Sequence, residues 1–193
     1  MKQLILLIVT TFLTQSAEAK GKNKLNICTA THSATNNYEP AVFSHGNNLL
    51  RKAGQEEIYC GQKILLKLEV VDRDCIPISD AKIYLWQVGC DGKYPYKTLR
   101  AKTNPALIND NAGSTFVGSG IATTNNTGNA KFITICPPSH HNESAINIRI
   151  EHSVYGSFQT RIDPKKSIII EDDDYDIIEA KIVTPWKNIH RRY

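Results

Sequence analysis

Apolar and polar residues alternate in several short stretches of the chain, and a period of two is typical of β-strands buried on one face. Lys67 and Glu69 lie on the polar face of the stretch Lys63–Val71. Its other face carries four aliphatic side chains: Ile64, Leu66, Leu68 and Val70. Turn-forming residues in Asp72–Pro77 interrupt the pattern, which resumes in Ala81–Val88. This region therefore predicts two strands joined by a tight turn.

The cleanest alternation of all lies in Ala145–His152. Isoleucines at positions 146, 148 and 150 face one way, whereas Asn147, Arg149 and Glu151 face the other. Side chains two residues apart in a strand share a face, so Asn147 and Arg149 are expected to point in the same direction. His152 falls on the isoleucine side and is expected to be a core or edge histidine.

Further short strands complete the pattern. A turn at Asn125–Gly128 is expected to form a hairpin between two of them, and Tyr175–Val183 fits either a last strand or a short helix. No long helix and no internal repeat are evident. Many short strands separated by turn signals predict an all-β fold, an antiparallel β-sandwich with long loops. The additional strands are predicted at Phe116–Thr124, Ala130–Cys136, Ser157–Ile162 and Ser167–Ile170.

The first nineteen residues have the pattern of a secretory signal peptide. Lys2 precedes the apolar run Leu4–Leu13, and Ala17-Glu18-Ala19 is a cleavage site of small residues, so we expect cleavage after Ala19. The run is shorter than a membrane-spanning helix, which disfavours the alternative of an uncleaved anchor. The sequence therefore predicts a secreted or periplasmic protein with no membrane span after cleavage.

The remaining chain divides by composition into three parts. Residues 20–56 are polar and predict an extended N-terminal arm that lies across the domain. Residues 57–170 hold the predicted sandwich, and residues 171–193 are expected to form an acidic turn and a C-terminal tail. Lys97–Thr115 predicts a long loop, and loops of that length in compact domains are frequently functional.

Charge and cysteine content narrow the function classes. The formal net charge is +4 and the basic residues are scattered, which gives no indication of nucleic-acid binding. Export permits disulfides, and an odd number of cysteines leaves at least one outside an intramolecular pair. The sequence leaves the pairing open, and no Cys/His spacing typical of zinc sites occurs. The five cysteines are Cys28, Cys60, Cys75, Cys90 and Cys136.

Three segments in order carry a resemblance to the intradiol ring-cleavage dioxygenases, the family of catechol and protocatechuate dioxygenases. The strand–turn–strand opening Val71–Ile78 is similar to that of the family but also to other β-sandwich modules. More specific are Leu85-Trp86-Gln87 with Gly92-Lys93-Tyr94, and Thr124–Gly128 with Phe132–Pro137. The similarity runs from about Asn47 to about Ile162 and implies a β-sandwich of the intradiol dioxygenase type.

The resemblance also implies a site in which two tyrosines and two histidines hold a ferric ion. A catechol chelates this ion as a dianion and is thereby activated toward dioxygen. The first tyrosine matches Tyr94, and His140 stands where the second is expected. The paired histidines correspond to Asn147 and Arg149, and an arginine of the family corresponds to Ser144. One ligand of four is retained, one is changed to another possible ligand, and two are lost.

These replacements favour a scaffold on which the usual iron site is not assembled. A neutral amide is a poor ligand for iron, and a guanidinium has no lone pair to donate and repels a cation. The first hypothesis is an exported binding module for a small molecule or an envelope protein, with an anion or hydrogen-bonding group held by Tyr94, Asn147 and Arg149. A weaker option is a structural envelope protein held by disulfides. The alternative is an active Fe(III) enzyme that cleaves catechol-type compounds with a rebuilt ligand set: Tyr94, Tyr96, His140, His141 and His152.

Overall fold

The strands form two four-stranded sheets that face each other. The computed structural model describes residues 27–52, 54–57, 59–100, 102–110, 113–138, 144–167 and 169–187. Single 3-10 turns at Pro105–Leu107 and Pro164–Lys166 interrupt the loops. The strands within this part of the chain are β1 (Lys63–Val71), β2 (Lys82–Trp86), β3 (Ser119–Thr123), β4 (Asn129–Ile135), β5 (Ile146–His152), β6 (Gly156–Ile162), β7 (Ile169–Ile170) and β8 (Asp176–Val183).

The strand order is β4-β1-β8-β7 in one sheet and β3-β2-β5-β6 in the other. The all-β sandwich predicted from the alternating pattern is confirmed, and β1 begins and ends at the residues expected. Every pairing is antiparallel except that of β1 with β8, which run parallel in register from Ile64–Asp176 to Val71–Val183. Strands of the second sheet lie between β1 and β8 in the chain. No tight hairpin therefore joins β1 to β8, so these two strands can run parallel.

The turn at Asn125–Gly128 forms as expected, but the predicted hairpin is wrong. Asn125 Oδ1 accepts hydrogen bonds from the backbone N–H groups of Thr127 and Asn129, at 3.0 and 2.9 Å. The turn nevertheless joins β3 to β4, which belong to different sheets. Gly128 adopts a φ of +72° and packs so closely that a Cβ there would lie 2.5 Å from the carbonyl oxygen of Val70. The turn is thus pressed against β1 and leads the chain across the sandwich.

The core lies between the sheets and is built from one face of each strand. The isoleucines of β5 are fully buried there, as the period of two predicts. Gln87, also fully buried, links the sheets: its Nε2 donates to the carbonyl oxygen of Ile135 at 2.9 Å, and its Oε1 accepts from the Thr134 hydroxyl at 3.0 Å. Because both ends of this amide are satisfied, its burial costs little.

The segment 27–52 crosses both lateral sides of the sandwich. On one side, Thr31 N donates to Val183 O at 2.9 Å and Ala34 N donates to Gln159 O at 3.0 Å, which connects β8 with β6. On the other side, Leu49 N donates to Ile133 O and Gly46 O accepts from Ile121 N, both at 2.8 Å, which connects β4 with β3. This arm therefore supplies backbone partners to the strand edges at which the two sheets would otherwise separate.

The C-terminal part differs from the expected acidic turn and tail. Residues 171–174 are exposed, but β8 follows them and pairs with both β1 and β7. The sandwich consequently extends past residue 170. The predicted signal peptide at 1–19 lies outside the described residues, among which no helix is long and apolar enough to cross a membrane.

The structure pairs four of the five cysteines. Cys28 bonds to Cys75, which attaches the start of the arm to the turn after β1, and Cys60 bonds to Cys90. Cys136 is the free thiol, and it lies half-buried just after β4.

Candidate functional site

The outer face of the β2–β5 pair carries the residues that the sequence singled out. Register pairs Tyr84 with Arg149 and Trp86 with Asn147. Within each strand these residues alternate with the core-facing isoleucines and leucines, so all four side chains lie on the face turned away from the inter-sheet core. The expectation that Asn147 and Arg149 share a face is therefore confirmed.

Tyr94 reaches this face from the loop that follows β2. A tight turn holds the loop, with Gly89 N donating to Lys93 O at 2.8 Å and Gly92 at a φ of +72°. The backbone of Tyr94 then pairs with the long loop: its N–H donates to Leu107 O and its carbonyl oxygen accepts from Asn109 N. The Tyr94 side chain is fully buried and packs in a small cluster with Trp86 and Val88.

The arm covers Tyr94 and bonds to it. Asn36 Nδ2 donates to the Tyr94 hydroxyl at 3.0 Å, while Asn36 Oδ1 accepts from Trp86 Nε1 at 3.1 Å and from Tyr38 N at 2.7 Å. The Tyr38 ring stacks on the Tyr94 ring, with centroids 4.7 Å apart and planes inclined by 8°. Asn36 thus bridges the buried side chains of Trp86 and Tyr94, and the ring of Tyr38 covers the ring of Tyr94.

Arg149 lies between two carboxylates and two aromatic rings. Its guanidinium contacts Glu39 at 3.1 Å and Glu151 at 2.9 Å, and its Cζ lies 4.3 Å from the centroid of the Tyr84 ring. A second ring, that of Phe43, is 5.8 Å away. The three charged groups sum to one formal negative charge, so the cluster as a whole does not attract an anion; the expected partner of Tyr94, Asn147 and Arg149, an anion or a hydrogen-bonding group, stays a prediction.

The same cluster changes the acidity of Tyr84. Burial raises the pKa of the Tyr84 phenol, and the carboxylate of Glu151, which hydrogen-bonds to it, raises the pKa further. Arg149 acts in the opposite direction but does not outweigh them. The phenol is therefore protonated and donates a hydrogen bond to Glu151.

Asn147 is also engaged by the scaffold. Its side chain is 4% exposed, and Nδ2 donates to the carbonyl oxygen of Trp86 at 3.3 Å. Ser144, at the position of the family arginine, is half-buried just ahead of β5. His140 and His141 lie outside the described residues.

His152 lies away from Tyr94, on the side expected for a core or edge histidine. It follows Asn147 by five residues along β5, a separation of about 16 Å in an extended strand. Its ring packs 4.8 Å from the ring of Tyr155 and 6.5 Å from that of Trp186, and its Nδ1 accepts from Val154 N. Tyr96 is nearer the site, with its ring centroid 5.7 Å from that of Tyr94.

The described donors do not fit the ferric centre that the resemblance implies. Arg149 is an ion-paired cation, Asn147 donates its amide to the backbone, and the Tyr94 hydroxyl accepts from Asn36. In the part of the chain that the structure describes, no three His, Cys, Asp or Glu side chains form a group suited to a metal ion.

Sequence reasoning missed the arm residues that complete this face: Asn36, Tyr38, Glu39 and Phe43. They lie in a polar stretch without strand or helix periodicity, so no local pattern assigns them to the site. One signal was present in β5, where Arg149 and Glu151 stand two residues apart on one strand face. That spacing predicts the ion pair that the structure contains.

Comparisons with known proteins agree with the fold. No model of a protein family matches this chain. A curated protein of Rickettsia felis, named "Putative dioxygenase", is 44% identical over 169 residues, covering 86% of this chain and 80% of that protein. An intradiol ring-cleavage dioxygenase from Tetranychus urticae superposes with a TM-score of 0.60 at 17% identity, covering 84% of this chain and 98% of that one. A catechol 1,2-dioxygenase from Acinetobacter superposes with a TM-score of 0.55 at 11% identity, covering 78% of this chain and 61% of that one.

Proposed function

This chain belongs to the intradiol ring-cleavage dioxygenase family, and from that premise we propose that it is an exported member that binds a partner without the ferric chemistry of the family. The observation that carries the proposal is the commitment of both histidine positions to other contacts. Asn147 bonds to the backbone of Trp86, and Arg149 is paired with Glu39 and Glu151. A scaffold whose ligand positions are built into its own packing is suited to recognition rather than to metal binding.

Electrostatics argue against a ferric ion beside Arg149. A guanidinium remains protonated at any physiological pH and offers no lone pair. At contact distance, a cation beside it would meet a repulsion of several kcal/mol, on the order of 4 kcal/mol per unit charge near a protein surface. Moving Arg149 away would also leave Glu39 and Glu151 without their shared partner.

The arm adds a second obstacle to a ligand at Tyr94. A metal ion or aromatic molecule approaching the Tyr94 oxygen has to replace the hydrogen bond from Asn36 and displace the stacked ring of Tyr38. Each displaced group is also bonded elsewhere, Asn36 to Trp86 and the Tyr38 hydroxyl to the backbone of Asn104. We therefore place the binding surface of this protein outside the covered Tyr94 face, with a small molecule or an envelope protein as the partner.

Export is part of the proposal and follows from the N-terminal sequence. The disulfides Cys28–Cys75 and Cys60–Cys90 support a secreted or periplasmic location, because such bonds persist in oxidising compartments.

The second candidate function is an active Fe(III) dioxygenase that cleaves catechol-type compounds. The observation that favours it is Tyr94, which retains the family position, is fully buried and lies within ring contact of Tyr96. In this candidate, His140, His141 or both would supply the missing nitrogen ligands.

Metal analysis of the mature protein separates the two candidates. The protein is exported with its own leader in iron-replete cells, and iron content, visible absorption and oxygen uptake with catechol are measured on one sample. We expect a colourless preparation with substoichiometric iron and no oxygen uptake. One iron per chain, with a tyrosinate-to-iron charge-transfer band and catechol-dependent oxygen uptake, would establish the enzyme and refute the proposal.

Two variants test the residue assignment. Asn147→His with Arg149→His restores the two imidazoles, and adding Asn36→Ala removes the arm's bond to Tyr94. Iron content should rise in the double variant and rise further in the triple variant. The matched control, Asn147→Gln with Arg149→Lys, keeps an amide and a cation and should bind no additional iron. If neither histidine variant gains iron, the correspondence of these two positions to the family ligands is wrong.

A further inference from the structure

A small cavity lies beside the Cys60–Cys90 disulfide, between the turn that follows β2 and the end of β4. Its volume is about 200 Å³. Apolar groups form much of its wall, namely the disulfide, Pro95, Phe116 and Ile135. Small-molecule sites in proteins are typically concave and mainly apolar, with a few polar groups at fixed places. This cavity therefore has the general character of a ligand site.

The cavity is separate from the covered Tyr94 face. Lys93 and Pro95 line it, whereas the Tyr94 side chain between them packs in the buried cluster with Trp86. The backbone of Tyr94 is extended where it pairs with the long loop, and neighbours in an extended segment point to opposite sides. A ligand in this cavity thus leaves the contacts of the arm with Tyr94 in place.

Two opposite charges stand at the cavity, on side chains that are exposed to solvent. Asp91 and Lys93 both line it and are two residues apart in the turn after β2. They form no ion pair with each other, nor with any other residue that the structure describes. Asp91 Oδ1 accepts from Lys93 N at 3.0 Å, and Oδ2 accepts from Asn109 Nδ2 at 3.2 Å. Since a carboxylate offers about four acceptor positions, both oxygens can accept further hydrogen bonds.

Size and charge together restrict the ligand. An apolar cavity of about 150 Å³ holds benzene, whereas drug-sized ligands occupy about 300–1,000 Å³. A cavity of about 200 Å³ therefore suits one ring or one branched alkyl group. An ammonium group complements Asp91 and a carboxylate complements Lys93, so the best complement carries both charges on one small apolar molecule.

We propose that this cavity binds a free apolar α-amino acid of the size of leucine or phenylalanine. The side chain enters between the disulfide, Phe116 and Ile135, the ammonium group pairs with Asp91, and the carboxylate pairs with Lys93. This inference rests on the proposed binding function and names its ligand. An iron-free protein that binds no amino acid overturns this assignment alone. One iron per chain, with catechol-dependent oxygen uptake, overturns the proposed function whatever the amino-acid binding.

Probes of similar shape separate the contributions of the two charges. Phenylalanine carries both, hydrocinnamate carries only the carboxylate, and phenethylamine carries only the ammonium group. In calorimetric titrations of the disulfide-bonded mature protein at neutral pH, phenylalanine should bind about tenfold more tightly than either single-charge probe. Glycine has both charges but no apolar side chain, and it should bind about tenfold more weakly than phenylalanine. The proposal is overturned if neither leucine nor phenylalanine binds, or if a single-charge probe binds as tightly as phenylalanine.

Two variants assign each charge to its partner. Lys93→Met should weaken phenylalanine binding about tenfold without weakening phenethylamine binding. Asp91→Asn should weaken phenylalanine binding to a similar extent without weakening hydrocinnamate binding, and it keeps an oxygen for the Lys93 N–H. The matched controls are Lys97→Met and Asp110→Asn, because both charges are exposed on neighbouring loops and neither lines the cavity. Both controls should bind like the wild type, and losses equal to those of the test variants would contradict the assignment.

Nuclear Overhauser effects locate the ligand in the folded protein. With labelled protein and unlabelled phenylalanine, the ligand ring should give effects to the Ile135 methyl groups and to the Phe116 ring. It should give none to the methyl groups of Val88, which belongs to the cluster around Tyr94. Effects to Val88 would place the ligand on the Tyr94 face and overturn the proposal.

Discussion

At the scale of single residues, the side chain of Asn36 connects the parts of the Tyr94 face, although no sequence pattern identified it. Its amide satisfies the Trp86 indole N–H and the Tyr94 hydroxyl, both on fully buried side chains. Asn36→Ala removes the acceptor of the Trp86 indole N–H and one donor to the Tyr94 hydroxyl, and a buried polar group left unsatisfied costs about 1–3 kcal/mol. We expect the free energy of unfolding to fall by about 2–3 kcal/mol in urea titrations.

Asn37 provides the matched control for that measurement. It is exposed, and its side chain accepts one hydrogen bond from Arg100 at 3.2 Å. Asn37→Ala should change the free energy of unfolding by about 0.5 kcal/mol or less. Equal losses for the two variants would mean that the Asn36 bridge does not stabilise the covered face.

Cys136 gives a residue-scale test of burial through pH. Burial raises the pKa of this thiol, and the nearby carboxylate of Asp176 raises it further. Because the thiolate is the reactive species, a raised pKa lowers the thiolate fraction below pH 9. Iodoacetamide should therefore alkylate the native protein more slowly at pH 8 than the urea-unfolded, disulfide-intact protein. The native rate should climb as the pH rises past 9.

Mass spectrometry after a timed quench measures both rates. Cys136→Ser should take up no label in the native state, because the other four cysteines are in disulfides. Equal alkylation rates in the native and unfolded protein would show that the thiol is not shielded.

Sequence patterns predicted which face of β5 Asn147 and Arg149 occupy, because alternation along a strand is a local property. They did not predict what covers that face. Asn36 lies 50 residues from Trp86 and 58 from Tyr94 in the chain. Contacts at such separations depend on how the sheets assemble, so hydrophobic periodicity carries no information about them. The carboxylate of Glu39, which the arm brings to Arg149, was not predicted for the same reason.

At the scale of elements, the docking of the arm onto β3 depends on the absence of a side chain at Gly120. A Cβ at Gly120 would lie 2.7 Å from Gly46 O and 2.8 Å from Leu49 Cδ1. Gly120→Ala should therefore push the arm away and destabilise the protein by about 1–3 kcal/mol. In hydrogen exchange, the amides of Ile121 and Leu49 should lose protection, while the β5–β6 ladder should keep it.

Gly113→Ala serves as the control for Gly120→Ala. A Cβ at Gly113 meets no atom within 4 Å, so stability and exchange should stay close to those of the wild type. If Gly120→Ala behaves in the same way, the arm does not need this close approach.

The element scale also shows where strand prediction succeeded and failed. β1 and β5 were located by strict alternation over seven or more residues. The Asn125–Gly128 hairpin was predicted wrongly, and Tyr175–Val183 was left open between a strand and a short helix; both depend on partners distant in the chain. A turn sequence fixes the local backbone but not which sheet receives the next strand, and β8 has its longest pairing with β1, over a hundred residues earlier.

At the scale of the whole molecule, the arm and the disulfides act together to hold the two sheets closed. The Cys28–Cys75 bond fixes the start of the arm to the turn after β1, where Cys28 N also donates to Arg73 O at 3.0 Å. The same turn receives the C-terminal end of the described chain, because Arg73 N donates to Trp186 O at 3.0 Å. Loss of this disulfide should therefore loosen three distant parts of the chain at once.

Comparison of two double variants separates the arm's contribution from the loss of a cross-link. Loop entropy alone predicts similar losses, about 4 kcal/mol for Cys28→Ala with Cys75→Ala and slightly less for Cys60→Ala with Cys90→Ala, since their separations are 47 and 30 residues. We expect the first variant to lose more than this difference explains, because release of Cys28 also frees the arm from both sheet edges.

A loss of 4 kcal/mol corresponds to a fall of about 10 °C in Tm. Reduction of the wild type should lower its Tm at least as far as either variant. If reduction leaves the Tm unchanged, the fold does not depend on an oxidising compartment, and the structural support for export fails.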